Sequence, residues 1–390
     1  MISLRAARIL TGGNDDTGWA AGPRWLTFDG DRIVDVAHTP PRGAARKDLG
    51  HLQLWPGITD LHADSLSHFQ SPRPAVRIPM VSALYDFAVD AATHGITHPC
   101  LCVAVGEGPD PQQSFERART VIDTVESIAG ALPIPVSIHL RVDVSAPQSV
   151  DLTAELLRGH AERIRLVSAM DHTPGQGQYR DEASWRSAMG ARLNLTDAAL
   201  DRWLSQLHAN ASGNVDRRRR IGQLANGSGA VFATHDPDSD DAVVTAKQDG
   251  AQICEFPLTA EAASAAGRLG MAVAVGAPNA WRGASHLQNL SARTAIAAGR
   301  VDVLTSDYHS GAMVRAAVAL DDAGVCALDQ AVAMMTAHPA CLIGTNDDPH
   351  LGTLHAGAVA NLIAVDTAPI IGVAAVWSRG RQITGHRLGH

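Results

Sequence analysis

The chain has 390 residues, of which 45% are hydrophobic and 18% are charged, a balance that is usual for a folded protein and excludes extended disorder. Its net charge of -8 gives no general reason to bind nucleic acid or an anionic membrane, so we expect neither partner. The length predicts more than one structural unit, because a single α/β barrel takes about 250 residues.

The composition also bears on location and on the chemistry that is available. No secretory signal and no apolar run of about 18 residues occurs, so we expect a cytoplasmic protein. The five cysteines form no Cys-x-x-Cys pair, which favours reduced core residues over disulfides. Only Lys47 and Lys247 are lysines, so arginine has to bind any anionic substrate.

The two ends of the chain resemble each other. Residues 1–54 alternate short apolar runs with turn signals, and residues 346–390 show the same pattern. Each end alone is too small to bury both faces of a sheet. We therefore predict that the two ends pack together as a small β-sandwich domain, and that residues 55–345 form a separate unit.

In that middle part, apolar strand candidates alternate with helix-like segments, which is typical of a parallel α/β sheet. Eight strands in fewer than 300 residues favour a closed (β/α)8 TIM barrel over an open sheet. A helical segment is predicted over 196–224 with Thr196 as its N-cap, and the polar, Gly-rich insertion at 173–195 is predicted to be a loop over the barrel mouth. The strand candidates end near His62, Val105, Asp143, Asp171, His235, Glu255, Gly276 and Asp307.

Polar side chains stand at most of these strand ends, where barrel enzymes build their active sites. His62 and Asp64 are two residues apart, so on a strand they point the same way and can grip one cation. Taken singly, each residue has a structural alternative: a turn-forming aspartate beside a buried histidine, or a helix N-cap in the case of Asp307. Taken together, the strand ends favour a metal site.

Histidine and carboxylate ligands without cysteine suit one or two ions of zinc, manganese or iron. Such a site lowers the pKa of a bound water to about 7, which is hydrolytic chemistry. Asp307 would then orient that water and take its proton. The chain has no Gly-x-Ser-x-Gly elbow and no Walker-type phosphate loop.

The string Pro56-Gly57-Ile58-Thr59-Asp60-Leu61-His62-x-Asp64, with β segments at both termini, resembles the amidohydrolase superfamily. Longer strings are similar to the diphosphatase family of the carbon-phosphorus lyase pathway, which acts on α-D-ribose 1-methylphosphonate 5-triphosphate. These strings are Ser71-Pro72-Arg73-Pro74, His139-Leu140-Arg141, Met170-Asp171-His172-Thr173-Pro174-Gly175-Gln176, Thr234-His235-Asp236, Glu255-Phe256-Pro257, Gly276-Ala277-Pro278-Asn279, Arg282-Gly283-x-Ser285-His286 and Ser306-Asp307-Tyr308.

This resemblance implies phosphonate metabolism and a small phosphorylated substrate, with hydroxide from the metal site attacking phosphorus and diphosphate leaving. By the same likeness the metal ligands are His62, Asp64, His235, Glu255, Asp307 and Asp143. Asp307 and His172 are the candidate catalytic residues. The residues expected to bind the substrate are Arg73, Arg141, Arg282, His286 and Asn279.

Two other functions stay open at this point. The same metal chemistry could serve an amidohydrolase that attacks an amide, lactone or amidine carbon. A barrel that has lost catalysis could instead act as a binding subunit, because fold does not fix function. The oligomeric state is also open, with a homo-oligomer among the alternatives.

Overall fold

The computed structural model of the chain describes residues 1–12, 18–20, 22, 24–73, 75–179, 181–283, 289–344 and 350–385. Six strands precede the barrel. They are β1 (Ile2–Ala6), β2 (Arg8–Ile9), β3 (Arg24–Asp29), β4 (Arg32–Ala37), β5 (Ala45–Asp48) and β6 (Gln53–Pro56).

The next eight strands form one parallel sheet in chain order. They are β7 (Ile58–Ala63), β8 (Ile96–Val105), β9 (Ser137–Asp143), β10 (Ile164–Met170), β11 (Val231–His235), β12 (Ile253–Glu255), β13 (Ala272–Gly276) and β14 (Val303–Thr305). A parallel bridge between Ala63 and Asp307 joins the first of these strands to the chain just after the last one. The predicted eight-stranded barrel is confirmed, and its strands end within two residues of the predicted positions.

Helices cover the outside of the barrel, and every residue of β7 is buried because its side chains face either the barrel interior or this outer layer. No helix in the described ranges is both long and apolar enough to cross a bilayer. The helices are α1 (Leu66–Gln70), α2 (Met80–Thr93), α3 (Phe115–Ile128), α4 (Ser149–His160), α5 (Glu182–Leu193), α6 (Asp197–Asn210), α7 (Asn214–Ser228), α8 (Asp240–Gln248), α9 (Ala260–Arg268), α10 (Ala277–Arg282), α11 (Ala292–Ala297), α12 (Ala312–Asp322), α13 (Leu328–Ala333) and α14 (Ala337–Ile343).

The insertion after β10 differs from the prediction of a loop, because it contains α5. The Asp181 side chain caps this helix by accepting a hydrogen bond from the Ser184 N–H at 2.7 Å. Trp185 and Met189, four residues apart, are buried in a cluster with residues of α6. The Gly-rich start of the insertion favoured the prediction of a loop, so the helical spacing of Trp185 and Met189 was not recognised in the sequence. Thr196 caps α6 as predicted, by accepting from the Ala199 N–H.

The last three strands are β15 (Leu362–Asp366), β16 (Gly372–Ser378) and β17 (Arg381–Gly385). They continue a five-stranded sheet in the order β17-β16-β15-β6-β2, which therefore combines both chain ends, and a second sheet has the order β4-β3-β1-β5. Leu26 and Phe28 of the second sheet share a buried cluster with Leu54, Leu362 and Trp377 of the first. The predicted β-sandwich of the two termini is confirmed, while the domain boundaries at 54/55 and 345/346 stay a prediction.

Candidate metal centre

Two histidines and a glutamate meet at the carboxyl ends of three barrel strands. His62 comes from β7, His235 from β11 and Glu255 from β12. Nδ1 of His62 lies 2.7 Å from Oε1 of Glu255, and Nδ1 of His235 lies 2.8 Å from Oε2. The glutamate therefore bridges the two imidazoles, whose rings stack with centroids 5.8 Å apart.

Glu255 and His62 stabilise the charged forms of each other. Burial alone would raise the pKa of Glu255, but the charge of His62 and the hydrogen bonds from both histidines hold that pKa well below its usual range. Burial lowers the pKa of His62, yet the neighbouring Glu255 carboxylate outweighs burial and the net pKa is raised. An ionised carboxylate between two imidazoles is a strong attractor for a cation.

The trio fits a divalent ion, because His62, His235 and Glu255 each offer one ligand atom and these atoms lie within 4.8 Å of one another. Each imidazole has its second nitrogen, Nε2, away from Glu255, and Nε2 of His235 lies 3.1 Å from Nη2 of Arg141. The trio can therefore hold the ion through Glu255 itself, or through Nε2 of the imidazoles with Glu255 as the partner that orients them, in which case the ion would replace the Arg141 hydrogen bond at His235. We accordingly treat the site as a candidate centre for one divalent metal ion.

Arg141 of β9 connects this trio to Asp64. Its Nη1 donates to Asp64 Oδ2 at 2.7 Å, and its Nη2 lies 3.1 Å from Nε2 of His235. A guanidinium only donates, so Nε2 of His235 is the acceptor and Nδ1 carries the proton that faces Glu255. Arg141 thus selects one tautomer of His235.

Three non-glycine residues just after the strand ends have left-handed backbones: Asp236, Phe256 and Asp307, with φ of 52°, 51° and 54°. Each uses its N–H to bond a neighbouring strand, at the carbonyls of Glu255, Ala274 and His62 respectively. Such strained conformations persist where the surroundings enforce them, and they cluster at functional sites. Two of them, Asp236 and Phe256, directly follow His235 and Glu255, and the third is Asp307 itself.

The trio adjoins a cavity of about 630 Å³, the main cavity. Asp64 and Asp307 line it as well, and burial together with the charge of Asp64 raises the pKa of Asp307. Three arginines supply positive charge to its wall. The lining residues that matter below are His62, Asp64, Arg141, Gln178, Arg192, His235, Asn279, Arg282 and Asp307.

A second cavity of about 340 Å³, the side chamber, lies next to the main cavity. Asp64, Arg141, Gln178 and Arg192 line both cavities and so form the border between them. The other residues of the side chamber include Asp143, His172, Tyr179, Trp185, Met189 and Trp203.

No family model matches the chain. The sequence is 32% identical over 336 residues to alpha-D-ribose 1-methylphosphonate 5-triphosphate diphosphatase of Escherichia coli (strain K12), a match that covers 85% of this chain and 88% of that protein. The chain belongs to the family of this diphosphatase.

Solved structures agree with this placement at the level of the fold. N-acetyl-D-glucosamine-6-phosphate deacetylase from Mycobacterium smegmatis matches with a TM-score of 0.64 at 19% identity, over 98% of this chain and 100% of that chain. Dihydropyrimidinase from Brevibacillus agri NCHU1002 matches with a TM-score of 0.64 at 14% identity, over 98% of this chain and 95% of that chain. These neighbours confirm the fold that the resemblance to the amidohydrolase superfamily implies, and membership of the diphosphatase family makes the protein a hydrolase.

The structure does not gather all the predicted ligands of this family member in one place. His62, His235 and Glu255 form the trio, and Asp64 and Asp307 line the same cavity. Asp143 and His172 instead face the side chamber, where Asp143 Oδ2 and His172 Nδ1 are 3.9 Å apart. Among the described residues, the candidate metal trio therefore includes neither of these two.

The predicted substrate-binding residues also separate. Arg141 and Arg282 line the main cavity, whereas Arg73 is exposed and lines neither cavity. Asn279 lines the main cavity, but its amide is engaged with the Leu290 carbonyl at 3.1 Å and the Ala292 N–H at 3.2 Å, so it holds these residues at the start of α11 in place. His286 lies outside the described residues.

Sequence reasoning missed residues that the structure places at or below the site. His139 is fully buried, with Nδ1 2.9 Å from the Leu61 carbonyl and 3.8 Å from Oε1 of Glu255. A signal for it existed, since His139 and Arg141 are two apart on one strand and face the same way. Gln178 and Arg192 come from the insertion, where no local pattern indicated that they reach the cavities.

Proposed function

We propose that the protein is a metal-dependent diphosphatase that cleaves the triphosphate of alpha-D-ribose 1-methylphosphonate 5-triphosphate, or of a close analogue, and releases diphosphate. The observation that carries this proposal is the His62–Glu255–His235 trio beside a cavity whose wall holds three arginines. The E. coli relative, which bears that activity in its name, supports the same substrate class.

The arginines suit a polyphosphate chain. Guanidinium groups offer paired donors that match phosphate oxygens, and the chain has few lysines to do so instead. Arg141 and Arg192 are held in place by ion pairs with Asp64 at 2.7 Å and Asp110 at 2.9 Å. Arg282 makes no ion pair with another described residue, so its charge is available to a bound anion. Together they would position and neutralise the phosphates.

Asp307 is the candidate base. A carboxylate whose pKa is raised accepts a proton near neutral pH more readily than an ordinary aspartate. A divalent ion bound by the trio would supply Lewis acidity and lower the pKa of a coordinated water. Asp307 would take the proton of the attacking water, while Arg141 and Arg282 bind the charge that develops on the phosphate oxygens.

The test is a hydrolysis assay on the intact protein loaded separately with zinc, manganese or iron. We expect diphosphate release from a ribosyl triphosphate, with the products identified by phosphorus NMR. Absence of diphosphate with every metal would refute the proposal.

Asp307→Asn is expected to keep its metal and lose at least about 10²-fold in turnover, because asparagine tolerates the left-handed backbone but accepts no proton. Asp322→Asn, at the exposed end of α12, is the matched control and should behave as wild type. A turnover of Asp307→Asn equal to that of wild type would show that Asp307 is not the base.

A further inference from the structure

The side chamber has an aromatic wall that α5 and α6 build. α5 and α6 contribute Trp185 and Trp203, whose rings lie 4.9 Å apart at an angle of 58°. Trp185 is fully buried, and Met189 extends the same apolar wall. Pockets for small molecules combine such surfaces with a few polar groups that fix orientation.

Three buried donors on residues of this chamber lack acceptors. Nε1 of Trp185, Nε1 of Trp203 and Nε of Arg141 have no hydrogen-bond partner among the described residues, although none of these atoms reaches the surface. Buried indole and guanidinium N–H groups nearly always have a partner, so these three point to oxygen atoms that a ligand brings.

The polar side of the chamber is arranged for a hydroxyl group. Asp143 Oδ1 accepts from the Ser145 N–H at 2.8 Å, which holds the carboxylate in place. Its Oδ2 lies 3.9 Å from Nδ1 of His172, which is too long for a direct hydrogen bond. A single hydroxyl between them can donate to Asp143 and accept from His172.

The side chamber and the main cavity differ in the charge of the side chains that line them. The Asp143 carboxylate in the chamber repels an anionic group, whereas Arg282 belongs to the main cavity and Arg141 and Arg192 stand at the border. A ligand that is anionic at one end and hydroxylated at the other would therefore place its phosphates in the main cavity.

We propose that the side chamber binds the hydroxylated ring of a sugar phosphate, with Asp143, His172 and Trp185 as positioning residues and with the phosphate chain extending past Arg141 into the main cavity. This assignment deepens and rests on the proposed function, because it names the part of the substrate that the chamber takes. It gives Asp143 and His172 a role in specificity.

The binding test titrates D-ribose 5-phosphate and inorganic phosphate separately into the metal-loaded protein by calorimetry. We expect wild type to bind the sugar phosphate about tenfold more tightly than phosphate, since the ring adds hydrogen bonds to buried groups. Asp143→Asn and Trp185→Phe should each remove most of that advantage and leave phosphate binding unchanged. Equal affinity of wild type for both ligands would overturn the proposal, as would variants that bind the sugar phosphate normally.

Controls separate positioning from structure. Trp185→Phe keeps an aromatic ring but removes the indole N–H together with part of the ring volume, so Trp25→Phe in β3, far from the chamber, is its matched control for the loss of ring volume. Thermal denaturation checks that each variant folds, and Asp143→Asn carries the test if Trp185→Phe does not fold. The metal content of Asp143→Asn should equal that of wild type, and its loss would show that Asp143 is a ligand, against this proposal.

A kinetic comparison distinguishes failure of the chamber from failure of the function. Both variants should raise KM for a ribosyl triphosphate about tenfold and leave hydrolysis of inorganic tripolyphosphate unchanged. Diphosphate release by wild type with no change of KM in the variants would refute the chamber and leave the function standing. Selective binding of the sugar phosphate without any diphosphate release would refute the proposed function and leave the chamber standing.

Discussion

The backbone N–H of Asp307 donates to the carbonyl of His62 at 2.9 Å, so a candidate base and a candidate metal ligand are joined at the seam that closes the barrel. The Asp64 N–H returns a bond to the Asp307 carbonyl at 2.7 Å. The first and last strands meet through these residues, so the same backbone hydrogen bonds close the barrel and hold Asp307 beside His62 and Asp64.

Below this seam, the fully buried carboxylate of Asp60 braces the two strands. It accepts from the Ser306 N–H at 3.1 Å, the Ser306 hydroxyl at 2.5 Å and the His62 N–H at 3.2 Å. Asp60→Ala leaves these buried donors unpaired, so we expect the free energy of unfolding to fall by about 2–4 kcal/mol in urea denaturation. Asp35→Ala, at an exposed position of β4, should change it by less than about 0.5 kcal/mol. Equal changes in the free energy of unfolding for the two substitutions would show that the Asp60 hydrogen bonds do not stabilise the junction of these strands.

Glu255→Gln should weaken metal binding. The amide loses the negative charge and presents an NH₂ group to one of the two imidazoles, so their alignment is lost in either mode of binding. Replacing a group that orients a ligand typically costs about 10–100-fold in metal affinity. Elemental analysis after equilibration with buffered free metal measures this change. Glu261→Gln, on the exposed side of α9, is the control, and equal metal content in the two variants would contradict the assignment.

Arg282 and Arg73 allow a direct comparison of two predicted anion-binding residues. Arg282 lines the main cavity and Arg73 does not, so Arg282→Gln should raise KM for a ribosyl triphosphate by about 10-fold or more. Arg73→Gln should leave KM within about twofold, as for an exposed charge remote from the substrate. Steady-state kinetics at constant ionic strength measures both. A larger effect at Arg73 would contradict the placement of the phosphates.

Asp90 of α2 and His94, the residue that follows this helix, predict a pH dependence of stability. Nδ1 of His94 lies 3.4 Å from Asp90 Oδ1. The hydrogen bond and charge of Asp90 raise the pKa of His94 above its usual 6.5. Burial alone would raise the pKa of Asp90, but hydrogen bonds from His94 and Ser310 lower it below its usual 3.8.

The pair therefore stabilises the fold fully between about pH 4 and 6.5. Its contribution is lost as pH rises through the raised pKa of His94, and as pH falls through the lowered pKa of Asp90. Because both side chains are about one-third exposed, we expect His94→Gln to cost no more than about 1 kcal/mol at pH 5.5 and close to zero at pH 9. Urea denaturation at the two pH values measures the difference. An equal cost at both pH values would show that charge pairing plays no part.

Local patterns were enough to predict the barrel and the ends of its strands. A strand shows its alternation in a few residues, so His62, His235 and Glu255 could be placed at strand ends without knowing their neighbours. Since parallel strands of a barrel share one carboxyl edge, these residues had to meet. The insertion was harder, because the helical pattern of α5 is short and follows a Gly-rich segment.

The sequence by itself thus determined the fold class, the β-sandwich of the termini and the set of polar residues at the mouth of the barrel. Only the tertiary structure decided how that set divides, with Glu255 between two imidazoles and Asp143 turned to a separate chamber. The reason is physical: the strand pleat sets the face on which a side chain lies. The lateral packing of α5 and α6, which is built from contacts distant in sequence, sets which cavity that face meets.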